Sequence, residues 1–118
     1  MRPTIDEQLS GAVRLLRLAE AEADAGEGVV ELVRNARRLI DRVAGSWQHV
    51  LPFLTADNTA TAALVGRPDP GPGDLATTVA RNEELRALLT LRIQQLPDGP
   101  ERAAIGAHLR DRVALDPT

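Results

Sequence analysis

The chain has 118 residues, a formal net charge of −3 and no cysteine. Those facts point to one domain and exclude disulfides, thiolate metal sites and a cysteine nucleophile. Hydrophobic residues make up 43% and charged residues 26%, a globular composition. All 14 basic residues are arginine, which removes Schiff-base and P-loop lysine chemistry and most simply reflects GC-rich coding.

The first predicted helix opens at Thr4, with Glu7 three residues on as a capping-box partner. Ile5, Leu9, Ala12, Val13, Leu16, Ala19 and Ala23 recur at helical spacing. Leu15 and Leu18 lie off that stripe, as contact with a second neighbour would require. The helix is expected to stop near Ala25-Gly26, where glycine suits a left-handed C-cap. A second helix is predicted from Glu27-Gly28 to Leu51, with Val29, Leu32, Val33, Ala36, Leu39, Ile40, Val43, Trp47 and Val50 on its apolar face. Pro52 is expected to end or kink it. A short third helix is expected over Ala56 to Val65, with Thr55 as N-cap and Gly66 as stop.

Residues 67–74 read RPDPGPGD, a loop expected to reverse the chain between two helical halves. Asp74 then caps a fourth predicted helix, Leu75 to Leu96, with Leu75, Val79, Leu85, Leu89, Ile93 and Leu96 inward. Pro97-Asp98-Gly99-Pro100 turns the chain into a last helix reaching Ala114, with Ile105, Leu109 and Val113 on one face. No stretch alternates with period two. The expected fold is all-α: a single-domain antiparallel helical bundle of four main helices plus one short helix.

The pattern is poor in chemistry. His49 and His108 fall on different helices, and the apolar stripes carry no carboxylates, so neither a metal nor another cofactor is expected. Ser46 and His49 are neighbours on a helix, yet nothing nearby orients the imidazole, and the serine is expected to bond back to a helical carbonyl. Gly26-Glu27-Gly28 lacks the third glycine and the preceding strand of a dinucleotide fingerprint and reads as a turn. Arg34, Arg38 and Arg42 line one helix face and could grip a phosphate or a partner's acidic patch. Glu27, Glu31 and Asp41 are interleaved with them, which favours a charge-balanced solvated surface.

Asn82 is the most conspicuous residue, because it projects near the middle of the fourth helix's apolar stripe with Arg86 one turn on. It is read as reaching water at a bundle end, as a register-fixing bond or self-association contact, or as lining a small-molecule pocket with Arg86 and His108. His108, Glu101 and Arg112 share one edge of the last helix, readable as an exposed rim. Leu18, Leu88 and Leu91 fall off the main stripes, as an apolar docking surface would require.

Asp74-Leu75, Asn82-Glu83-Glu84-Leu85, Ala107-His108-Leu109-Arg110 with Val113 and Asp116-Pro117, and the opening Pro3-Thr4, Leu9 and Ala12-Val13 carry a resemblance. The chain resembles a family of small helical proteins encoded beside acyl-CoA dehydrogenases and kinases of the aminoglycoside-phosphotransferase type. The closing segment is shorter here than in that pattern. The resemblance implies an accessory role beside an enzyme, in acyl or phosphoryl metabolism, and transfers no catalytic residue.

The expectation is a non-catalytic interaction protein, forming a dimer or other homo-oligomer or docking on a partner enzyme. Its partner surface would be Arg34, Arg38, Arg42, Leu88 and Leu91. The alternative is a ligand-binding bundle holding a small anionic or acyl ligand near Asn82, Arg86 and His108. No basic patch suits nucleic acid. No apolar run reaches the ~18 residues of a membrane helix, and Met1-Arg2-Pro3-Thr4 opens no apolar leader, so a cytoplasmic location is expected.

Overall fold

A computed structural model describes residues 5–118; the Thr4 cap expected for the first helix lies outside them. The described residues form four helices and no strand: α1 (Ile5–Glu20), α2 (Glu27–Val65), α3 (Leu75–Gln95) and α4 (Pro100–Leu115). The chain is all-α, as a helical bundle requires.

Two boundaries differ from the sequence reading. α1 stops at Glu20, and the link to α2 carries no left-handed glycine, since among the described residues only Gly66 and Gly71 have positive φ. More notably, the second and short third predicted helices are one 39-residue helix that passes through Pro52. Proline removes one N–H and crowds the carbonyl four residues back, yet it only kinks a helix that other contacts hold in place. Thr55 is therefore no N-cap. Its hydroxyl donates to the Leu51 carbonyl at 2.8 Å, inside the helix.

The remaining ends follow local chemistry. Gly66 adopts φ 68° and the Arg67 N–H bonds the Ala62 carbonyl at 2.9 Å, the Schellman closure of α2. Asp74 caps α3, its carboxylate accepting the Thr77 N–H at 2.7 Å. That bond holds the Asp74 carboxyl below its ordinary 3.8. Pro100 opens α4 at a position where no N–H is needed.

The chain falls into two compact units, Met1–Trp47 with Thr118, and Gln48–Pro117. The boundary lies within α2, and the Pro/Gly loop 67–74 belongs to the second unit. In the first unit α1 and the opening of α2 form an antiparallel hairpin. Arg37 bridges to Glu20 at 2.8 Å and the Trp47 indole N–H donates to Asp6 at 3.1 Å. The Arg37 bond holds the Glu20 carboxyl below its ordinary range. In the second unit the end of α2 packs with α3 and α4, and the buried apolar side chains are Ala62, Leu85, Leu89 and Ile105. Loop 67–74 is tied down here. Asp69 accepts from the Gly71 N–H and the Thr59 hydroxyl, each at 3.0 Å, and Arg81 donates to the Pro70 carbonyl at 2.7 Å.

Candidate functional site

The interior of the second unit is as polar as it is apolar. Asp57, Asn58 and Thr61 from α2 and Thr78 and Asn82 from α3 are all buried, Asn58 and Thr61 to 1% exposure. Asp57 and Thr61 lie at i and i+4, so helical geometry stacks them on one face, with Asn58 beside them at its edge. On α3 the inward row is Thr78, Asn82, Leu85 and Leu89. Leu75 and Val79, expected inward, are exposed. The buried row starts with two polar residues, and a purely apolar reading of the pattern rotates its first turns outward.

Asp57 is the hub. Its Oδ2 accepts from Asn82 Nδ2 at 2.7 Å and from Arg112 Nε at 3.1 Å, while Oδ1 faces His108 Nε2 at 3.4 Å. The second proton of the Asn82 amide goes to Asn58 Oδ1 at 2.8 Å, and Asn58 Nδ2 donates to the Thr78 carbonyl at 3.2 Å. The Arg112 guanidinium also lies 5.7 Å from the centroid of the Phe53 ring, within cation–π range. Every buried side-chain polar atom among the described residues has a partner.

This arrangement decides between the readings of several residues. Asn82 does not reach water; it bonds two α2 side chains from the middle of α3. His108 and Arg112 are not an exposed rim. With Ile105 they form the inward face of α4, whereas Val113, expected on that face, is 80% exposed and Leu109 is also exposed. Glu101 stays at the surface, paired with Arg92 at 3.0 Å. Arg86 is exposed and its side chain joins none of the bonds around Asn82 and His108.

The cluster superficially resembles a Thr–His–Asp relay, because Thr61 Oγ1 lies 3.0 Å from His108 Nε2. A relay needs the hydroxyl on one ring nitrogen and the carboxylate on the other. Here the same nitrogen faces both oxygens, so the geometry satisfies polar groups without activating a nucleophile. Ser46 is equally occupied, donating to the Arg42 carbonyl at 2.9 Å. Among the described residues no group of three or more His, Asp or Glu side chains is placed to hold a metal ion, and no helix is long and apolar enough to cross a membrane.

The arginine face divides. Arg34 pairs with Glu31 at 3.1 Å and approaches Glu20 at 3.6 Å, while Arg38 and Arg42 are exposed and make no ion pair among the described residues. Leu88 and Leu91 line an open groove of about 550 Å³ between α3 and the proline-rich loop, together with Arg67, Pro68, Pro70 and Arg81. In the first unit no apolar side chain among the described residues is buried, and Leu15, Leu18, Val29, Leu32, Leu39 and Val43 are exposed.

Sequence reasoning missed Asp57, Asn58, Thr61 and Thr78. One signal for Asp57 was present: no basic residue lies within four positions of it, so a helical Asp there, once buried, must find its counter-charge on another element. Comparison with protein-family models, with curated proteins and with solved structures finds no match for this chain.

Proposed function

We propose that this protein is a non-catalytic, cytoplasmic association module that acts by docking through its first unit, with the second unit as its self-sufficient folded part. The observation that carries this reading is the contrast between the units. Each unit leaves six large apolar side chains exposed, but the second also buries Ala62, Leu85, Leu89 and Ile105 around a satisfied polar cluster, whereas the first buries no apolar side chain among its described residues. A two-helix hairpin of this size has too little core to be stable alone, so burying that face elsewhere is a thermodynamic need. An accessory role beside an enzyme of acyl or phosphoryl metabolism fits such a module.

The closed cluster favours this reading over ligand binding at Asn82 and His108. A small anion there would meet the Asp57 carboxylate and would have to break bonds already made at 2.7–3.2 Å. The test is a native pull-down with the wild-type chain and with a Leu32→Glu/Leu39→Glu bait. Protein captured stoichiometrically by the wild type, whether a second copy or another chain, and lost with the double variant supports docking through the first unit. Equal recovery by both baits overturns it.

A further inference from the structure

On α2 the exposed residues Val29, Leu32, Leu39 and Val43, with half-buried Ala36 among them, follow one another at spacings of three and four. This is the a/d spacing of a helix–helix seam. It is separate from the α2 face turned to α1, where Val33, Arg37, Ile40, Ala44 and Trp47 are half-buried. α2 therefore carries two seams side by side, and only one is covered. Leu15 of α1 adds to the open one. The opposite face of the hairpin is marked by a groove between Arg14, Arg17 and Asp41, and helical rotation places Leu15 away from it, beside Leu39.

We infer that the open seam is covered by the same seam of a second copy, two hairpins closing into an antiparallel four-helix bundle; this rests on the association reading above. Self-complementarity is the argument. A two-fold axis at Ala36 sets Val29 against Val43 of the second copy, Leu32 against Leu39 and Ala36 against itself, so like-sized residues meet and the smallest sits where the helices approach closest. Charge agrees with size. Glu31 and Arg42 lie on one polar flank of the seam, five and six residues either side of Ala36, so the same axis brings each Glu31 to the other copy's Arg42. Among the described residues Arg42 makes no ion pair, and Glu31 pairs only with the half-buried Arg34.

The area is sufficient. Leu15, Val29, Leu32, Leu39 and Val43 are each about half to 70% exposed, a patch on the order of 500 Å², the upper end of what monomers leave in water. Two such patches with their polar flanks bury roughly 1,200 Å², the lower bound of a stable interface.

Sedimentation equilibrium of the purified full chain, across about 1 to 100 µM, tests this. The expected result is a species of twice 12.7 kDa, with Leu32→Glu/Leu39→Glu raising the dissociation constant by roughly 100-fold or more at unchanged helical circular dichroism. Because the chain has no cysteine, a single Ala36→Cys is expected to cross-link to itself on mild oxidation, and Arg14→Cys on the other face is not. A dimer that survives the double variant overturns the inference, as does a wild-type monomer throughout. In the second case the pull-down separates the readings. A different protein captured by wild type and lost with the double variant leaves the module standing without self-pairing, and no such protein removes both.

Discussion

Asn82→Leu distinguishes a structural polar cluster from a functional one. Leucine keeps the branched shape of asparagine at a larger volume and removes both amide protons and the amide oxygen. Asn58 Oδ1 then loses the donor at 2.8 Å in a side chain that is 1% exposed, and Asp57 Oδ2 keeps only Arg112. An orphaned neutral acceptor costs about 1–3 kcal/mol, and a lost bond to a charged group about 1.5–3 kcal/mol. The added apolar burial returns about 1.5 kcal/mol. Taken at the middle of these ranges, the net loss is about 2–3 kcal/mol. A unit of about 70 residues has roughly 4–10 kcal/mol to lose. The unit should therefore stay folded but open roughly 30- to 150-fold more often. Hydrogen exchange read by segment is the assay, with loss of protection expected around residues 57–62 and 78–89. Protection equal to or above wild type would refute the claim that these bonds hold the unit together.

Other substitutions test the local arguments. Pro52→Ala restores an N–H in the interior of α2 and should raise stability by about 1–2 kcal/mol after allowing for the more flexible unfolded chain; a lower melting temperature would mean that Pro52 serves the fold. Gly66→Ala puts a Cβ at φ 68° and should cost about 1–2 kcal/mol in a denaturant melt, with no change expected if the Schellman closure is unimportant. Asp74→Ala removes the α3 cap. Because the folded-state pKa of Asp74 is lowered, its contribution is present above 3.8 and lost as pH falls through the folded value. The gap between wild type and variant in a thermal melt should therefore be full at pH 7 and close on acidification below 3.8; a gap that persists unchanged there would contradict the cap.

Helix periodicity, the Asp74 cap, the Gly66 stop and the Pro100 start were legible in the sequence, because each depends on residues within four or five positions of one another. The continuity of α2 through Pro52 was not, since a proline's cost is local while the contacts that outweigh it are distributed. The inward faces of α3 and α4 were misread for a related reason. Thr78, Asn82, His108 and Arg112 are polar, and polar side chains go inside only when partners from other helices satisfy them.

What the sequence determined by itself was the all-α class, most helix ends and the absence of cysteine and lysine chemistry, all properties of short windows and of composition. Only the tertiary structure decided that Asn82 is held by Asp57 and Asn58, and that His108 and Arg112 complete their shell. It also decided which of the two apolar seams on α2 is covered by α1. Those outcomes depend on which residues far apart in the chain meet, such as Asp57 and Arg112, and no local spacing encodes that meeting.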